Sequence, residues 1–294
     1  MRERLGRQGL RIPCGPFNVS LRSKLPTLPG ILHGMYGDFP VLADNKYVDF
    51  EVDLQAPTFA RRLVRPQVSF SCDGRIPFKP LPTEQAFPML EWGLNWVISS
   101  HAFGFLVVHA AAVERDGRAL ILAADPGSGK STLCAALVHH GWRLLSDELT
   151  LVDLSNGTIF PIARPISLKN ASINVVKNLG DDILLSPVCH DTAKGSIAHM
   201  KPPAASVAAL GVAAIPAQMV FPKFSPNATL SSEIVGPAHA FLEIARHTFN
   251  LPVLAGDGFD AIARLVDQVR VSRISYASFD QVMPEIERLW LEAS

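Results

Sequence analysis

The clearest period near the start of the chain is a two-residue alternation, in which Val48, Phe50, Val52 and Leu54 are apolar and the intervening Asp49, Glu51 and Asp53 are acidic. Successive strand side chains point to opposite faces, so this segment predicts a strand with one wet face. Val68, Phe70 and Cys72 alternate likewise before Asp73-Gly74, a hairpin-turn pair, and Ile76 and Phe78 are placed to continue as the return strand. Residues 1–80 therefore read as mostly β, with irregular edges because prolines are frequent there.

From Thr83 the period lengthens. Phe87, Leu90, Leu94, Val97 and Ile98 fall on one helical face, with Thr83 as the N-cap. Trp92 and Trp96 stand one turn apart on this helix, which suits packing against the β layer better than a stacking platform.

Phe105 to Val113 is a largely apolar run, Arg115-Asp116-Gly117 is a turn, and Ala119 to Ala123 is a second run, which together predict a hairpin. Ser131 to His140 predicts a helix closed by Gly141, and Trp142 to Glu148 a strand ending in two carboxylates. Asn156-Gly157 closes a further hairpin. Helices follow around His239–Phe249 and Phe259–Gln268, then a strand near Arg273–Tyr276 and a final helix over Phe279–Leu291. These elements divide into a β-rich accessory region over 1–100 that ends in a helix, and an α/β domain over 101–294.

Composition narrows the classes of function. Nearly half of the 294 residues are apolar, enough for a substantial core. The 27 basic and 27 acidic side chains cancel without a block of either sign, which argues against a nucleic-acid or membrane-surface partner. The longest apolar stretch, Val207 to Ile215, is far short of the roughly 20 residues a spanning helix needs. No apolar segment follows the charged Met1–Arg4 start, so the expected location is the cytoplasm. Cys14, Cys72, Cys134 and Cys189 form no C-x-x-C pair and read as reduced, structural thiols.

Between the second apolar run and the helix lies Ala124-Asp125-Pro126-Gly127-Ser128-Gly129-Lys130-Ser131, followed by Thr132. It matches the phosphate-binding pattern G-x-x-x-x-G-K-[ST] except that Ala124 replaces the first glycine. Glycines let backbone N–H groups turn toward phosphate, and the helix N-terminus adds positive partial charge. In that arrangement Lys130 neutralises β- and γ-phosphate oxygens and the Ser131 hydroxyl ligates Mg²⁺, so ATP and Mg²⁺ are the expected ligands. Ala is compatible with the first position if its φ stays negative. An ordinary glycine-rich turn is the bland alternative.

Asp147 and Glu148 sit on the element immediately after the helix that follows this loop. Adjacent strand residues face opposite ways, so the two acids share a site only if the strand has ended or bulged between them. His109 precedes the loop by one hairpin and is either a site group or a satisfied core histidine.

His109, the Ala124–Ser131 loop, the helix and Gly141-Trp142-Arg143-Leu144-Leu145-Ser146-Asp147-Glu148 together resemble the HPr kinase/phosphorylase family. The departures are Ala124 for Gly, Pro126 for Ser and Glu148 for a second Asp. Glu91 to Trp96, Arg164 to Asn170 and Asp191 to Gly195 are similar to the subgroup called HprK-related kinase A. The resemblance implies a P-loop kinase core like that of phosphoenolpyruvate carboxykinase, a mixed sheet with flanking helices. It also implies transfer of the ATP γ-phosphoryl group to a serine hydroxyl of a protein or peptide acceptor.

On this reading Asp125, Pro126, Gly127, Ser128, Gly129, Lys130, Ser131 and Thr132 bind nucleotide, with Lys169 as a further phosphate cation. Ser131 and Glu148 hold Mg²⁺, and Asp147 is the base or hydroxyl-orienting group, as its family counterpart is thought to be. The two carboxylates are free to exchange roles. His109 contacts the γ-phosphate or holds Asp147. Lys194, with Arg164, His199 and Lys201 as weaker candidates, brings positive charge to the transferring group as a loop closes. Solvated surface charge is the alternative for the lysines. A small-molecule or carboxykinase-like phosphotransferase and a non-catalytic, nucleotide-gated binding module remain open, as does a homo-oligomer.

Overall fold

The computed structural model describes residues 2–293. In the first part of the chain the elements run α1 (Arg2–Arg7), β1 (Leu10–Cys14), β2 (Phe17–Ser23), α2 (Leu28–Tyr36), β3 (Phe50–Gln55), α3 (Ala60–Leu63), β4 (Gln67–Cys72), β5 (Leu81–Pro82) and α4 (Ala86–His101). The five strands form one sheet in the order β1-β2-β3-β4-β5, antiparallel except for the β2/β3 pair.

The acidic alternation is strand β3, whose Val52 and Leu54 are fully buried. The β4 residues Val68 and Phe70 share that face, and Phe87, Leu90, Leu94, Val97 and Ile98 of α4 are buried with them in one apolar cluster. Gly93 lets α4 settle there, because a Cβ would collide with the Phe70 ring. Two expectations need correction. Thr83 opens a short 3₁₀ turn over Thr83–Gln85, and the α-helix starts only at Ala86 without a side-chain cap. The Asp73-Gly74 turn forms, but the return strand lasts one bridged residue, Arg75, and β4 pairs instead with Leu81–Pro82. Pro77 removes a backbone donor from the middle of Ile76 to Phe78, and Pro80 another just beyond it, which works against a return strand.

The chain continues as β6 (Phe105–Val108), β7 (Ala110–Arg115), β8 (Arg118–Ala123), α5 (Lys130–His139), β9 (Arg143–Ser146), β10 (Thr150–Asp153), β11 (Ile159–Phe160), β12 (Ile166–Lys169) and α6 (Ala171–Lys177). Then come β13 (Cys189–Thr192), β14 (Gly195–Met200), α7 (Ala204–Ala208), β15 (Ile215–Phe224), β16 (Ser231–Ile234), α8 (Pro237–Arg246), α9 (Leu251–Leu254), α10 (Gly256–Gln268), β17 (Arg270–Tyr276) and α11 (Phe279–Glu292). The fold is a mixed α/β arrangement of several sheets.

The largest is six-stranded, in the order β16-β17-β15-β8-β7-β9, with β15 parallel to both β8 and β17 and the other pairs antiparallel. Both faces of β8 are covered. Leu120 and Leu122 join the cluster containing α5, while Ala119, Ile121 and Ala123 join a second one built with α8 and α10. That explains why β8 reads as a continuous apolar run rather than an alternating one. Two three-stranded antiparallel sheets, β11-β10-β6 and β12-β14-β13, flank it.

The run expected as one strand over Phe105–Val113 is two strands in two sheets, broken at His109. The Val107 N–H donates to Asn250 Oδ1 and the His109 N–H to the His247 carbonyl, so the segment after α8 takes the bonds that a continuous strand would have kept. Among the described residues no helix is long and apolar enough to cross a membrane.

Candidate nucleotide and transfer site

Strand β8 ends at Ala123 and the chain turns through residues 124–129 into α5. Gly127 and Gly129 have φ of +88° and +92°, a region that favours glycine. At Gly129 a Cβ would lie 2.9 Å from Phe224 Cβ and 3.1 Å from Tyr276 Oη, so the ends of β15 and β17 press on the loop; at Gly127 it would meet open space. The loop is pinned to β15 by the Phe224 N–H, which donates to the Ser128 carbonyl at 2.9 Å. Ala124 is not among the residues with positive φ, which is the condition that lets Ala replace Gly there.

No side chain caps the N-terminus of α5, so its first amides keep their capacity to bind an anion. Its other end is tied off as the sequence implies. Gly141, at φ +90°, and Trp142 donate back to the Val138 and Leu137 carbonyls, which sets the start of β9.

Lys130 is 7% exposed, and its Nζ donates to the His109 carbonyl at 3.2 Å. Burial pulls its pKa down to about 8, against the opposing charges of Asp147 and Glu148.

The strand β9 ends at Ser146, so Asp147 and Glu148 occupy a bend rather than strand positions and are released from the opposite-face constraint. They part company in their surroundings. Asp147 Oδ2 accepts from the Ser167 N–H at 2.9 Å, while Oδ1 is buried without a protein hydrogen-bond partner. Burial and the neighbouring Glu148 charge push its pKa up to about 6, only partly offset by the Ser167 amide, the Ser131 hydroxyl and Lys130. Glu148 instead accepts from Asn95 Nδ2 through Oε2, and Lys169 Nζ stands 3.7 Å from Oε1. Burial raises the Glu148 pKa, but Lys169, Lys194, His109 and Arg164 outweigh it and hold the carboxyl below its ordinary value.

His109 packs edge-on against Phe249, with ring centroids 5.4 Å apart, and burial together with Lys130 lowers its pKa to about 4. Lys194 sits at the β13–β14 turn with Nζ 5.5 Å from the centre of the Trp92 ring, so of the two tryptophans only Trp96, edge-on to Phe78, packs as expected against the β layer. Asp125, Pro126 and Gly127 are exposed, and Ser128, Ser131 and Thr132 are half-buried. The Ser128 Oγ has no protein partner.

Three weaker candidates are placed differently from expectation. Lys201 pairs with Asp38 at 2.7 Å. Arg164 is buried and spends its charge on Glu91 at 3.1 Å, so it is not a mobile cation. His199 is buried against Phe87, and burial lowers its pKa to about 3.

What the sequence reading missed is the share of the site that comes from α4. Glu91, Trp92 and Asn95 line the same cleft as Asp147, Glu148 and Arg164. Trp92 Nε1, Asp147 Oδ1, Ser167 Oγ and both His199 ring nitrogens are buried in its walls without a protein partner, as befits a cleft completed by water or ligand. The available signal was Glu91 and Asn95, polar residues one turn apart on a helix otherwise apolar at those positions.

The residues present fit a divalent cation only in part-protein form. Among the described residues no three His, Cys, Asp or Glu side chains converge into a metal cage. A hydroxyl beside a buried carboxylate with a free oxygen, as at Ser131 and Asp147, suits Mg²⁺, which keeps water and phosphate oxygens in its shell.

Residues 83–169 match the family described as SynChlorMet cassette protein ScmC, a span that takes in α4, the loop, α5 and the Asp147–Glu148 bend. Among solved structures, the Hpr(Ser) kinase/phosphatase from Coxiella burnetii is similar at 13% identity over 63% of this chain and 98% of that chain, with a TM-score of 0.26. No curated protein matches the chain.

Proposed function

We propose that this chain is an ATP-dependent phosphotransferase that moves the γ-phosphoryl group of ATP to a serine hydroxyl of a protein or peptide. The observation that carries the reading is the uncapped N-terminus of α5. Two left-handed glycines lead into it, a buried lysine starts it, and the Asp147–Glu148 bend comes up beside it.

Phosphoryl transfer asks a protein mainly for positioning and charge neutralisation. The amides of the loop and the first turn of α5 hold the phosphates, and Lys130 neutralises them. Mg²⁺, when bound, adds positive charge on the phosphate oxygens. The geometry favours the exchanged assignment of the two acids. Asp147, whose carboxylate has the Ser131 hydroxyl for a neighbour and keeps Oδ1 without a protein partner, is the metal partner, and Glu148 faces the incoming hydroxyl among Lys169, Lys194 and His109. Glu148 then orients the acceptor as an ionised hydrogen-bond acceptor, which a loose transition state requires more than a strong base.

The test is incubation of purified protein with γ-labelled ATP and a panel of serine-containing proteins and peptides. The reading expects acid-stable label on serine, cut to a slow but measurable residual rate in Glu148→Gln while ATP binding persists. A wild-type protein that binds ATP and labels no acceptor would instead make the chain a nucleotide-gated binding module.

A further inference from the structure

Helix α4 belongs by sequence position to the β-rich part of the chain, yet its side chains reach the transfer site. Asn95 is the point of contact: its Nδ2 donates to Glu148 Oε2, and its Oδ1 accepts from an Arg164 guanidinium nitrogen. The same guanidinium donates to Glu91 Oε2 at 3.1 Å and to the Glu91 carbonyl at 3.4 Å. Glu91 Oε1 in turn accepts from the Tyr36 hydroxyl at 2.6 Å. An unbroken polar line thus runs from α2 through α4 and Arg164 to Glu148. Tyr36, Glu91 and Arg164 are all buried.

The chemistry of this line is directional. A guanidinium has only N–H donors, and an ionised carboxylate has only acceptors. Asn95 therefore fits in one orientation alone: a flipped amide would set its NH₂ against Arg164 and its carbonyl against Glu148. The desolvation cost of burying the Glu91–Arg164 pair makes it a poor source of net stability, whereas fixing a side chain in one geometry is a use such pairs do serve. Asn95 is also too short to reach Glu148 unless α4 is seated, and α4 is seated through Gly93 against Phe70.

We propose that Asn95 is a positioning residue that holds the Glu148 carboxylate toward the transfer site, with Arg164 fixing which way round its amide stands. The proposal rests on the phosphotransferase reading. It extends the site to a helix outside the loop and the acidic bend, and it makes seating of α4 a condition for a competent Glu148.

The experiment is a double-mutant cycle on transfer from γ-labelled ATP, with Asn95→Ala, Glu148→Gln and the pair, run beside an NMR measurement on the wild type and Glu148→Gln. Asn95→Ala is expected to lower kcat about 10- to 100-fold with the KM for ATP changed less than about twofold, since it acts on the carboxylate and not on the nucleotide. In the Glu148→Gln background the same change should cost nothing further. The wild-type Asn95 side-chain amide, assigned by triple resonance, should show one proton shifted downfield by its carboxylate bond, and Glu148→Gln should move it back. That readout needs no Asn95 variant to fold. Active wild type with a fully active Asn95→Ala, an additive double mutant, or an Asn95 amide indifferent to Glu148→Gln would each overturn the assignment alone. A wild type that labels nothing would overturn it together with the function.

Discussion

Lys130 Nζ lies 3.2 Å from the carbonyl oxygen of His109, the residue at which the chain leaves one sheet and enters another. The break between β6 and β7 thus serves the loop: a carbonyl released from ladder pairing accepts a bond from the buried ammonium. The lysine is held in place by backbone, not by the His109 imidazole.

Replacement of Lys130 by Met should leave the fold intact and remove the proposed phosphate cation. Affinity for Mg·ATP is expected to fall about 100-fold, within the range for losing one partner of a buried charge contact. His109→Ala, which keeps the carbonyl, should weaken binding less than about tenfold. Titration calorimetry of both variants decides whether the anchor is backbone or side chain.

Asp147→Asn should separate stability from function. In the nucleotide-free, metal-free protein the Asp147 pKa of about 6 lies above the ordinary aspartate value of 3.8. The fold therefore binds that proton more tightly than the unfolded chain does. The associated stability is fully present below pH 3.8 and is lost as pH rises through about 6. Above pH 7 the neutral amide should stabilise the apo protein by about 2 kcal/mol in urea unfolding, while transfer falls about 1,000-fold.

His199 should dominate the acid side. Its folded pKa of about 3 lies below the ordinary 6.5 because burial disfavours the charged ring. That stability is present above pH 6.5 and is lost as pH falls toward 3. His199→Phe, which keeps an aromatic against Phe87, should flatten unfolding free energy between pH 6 and 4 by about one proton, or roughly 1.4 kcal/mol per pH unit.

Gly93→Ala tests the seating of α4 on the first sheet. The new methyl group would enter the Phe70 ring, and overpacking of this kind is expected to cost about 3 kcal/mol, read as a lowered urea midpoint at unchanged slope.

How much of this was visible in the sequence follows from the range of the forces involved. The wet strand β3, the buried face of α4, the β7–β8 hairpin, the loop and the Gly141 stop are set by residues within a turn or two of one another, and the pattern carries them. The break at His109 is invisible in Val107-Val108-His109-Ala110 because its cause, the bonds to His247 and Asn250, comes from more than a hundred residues away. The expected return strand at Ile76 failed because Pro77 and Pro80 outweigh its alternation. At the candidate site, the loop residues and the bend announce themselves by type and spacing. Asn95 does not, since its partners Arg164 and Glu148 meet it only in the folded chain. Lys201 had the right neighbours in sequence and the wrong one in space, Asp38.

The central claim is that the loop and the first turn of α5 bind the triphosphate of Mg·ATP, with Ser131 and Asp147 serving the metal. Its most direct test is calorimetric titration of ATP into the protein with Mg²⁺ and again with EDTA, alongside Ser131→Ala. The account predicts saturable heat with Mg²⁺, weakened at least tenfold by chelation and by the Ser131 substitution. No heat with Mg·ATP, or the same affinity in all three titrations, would contradict it.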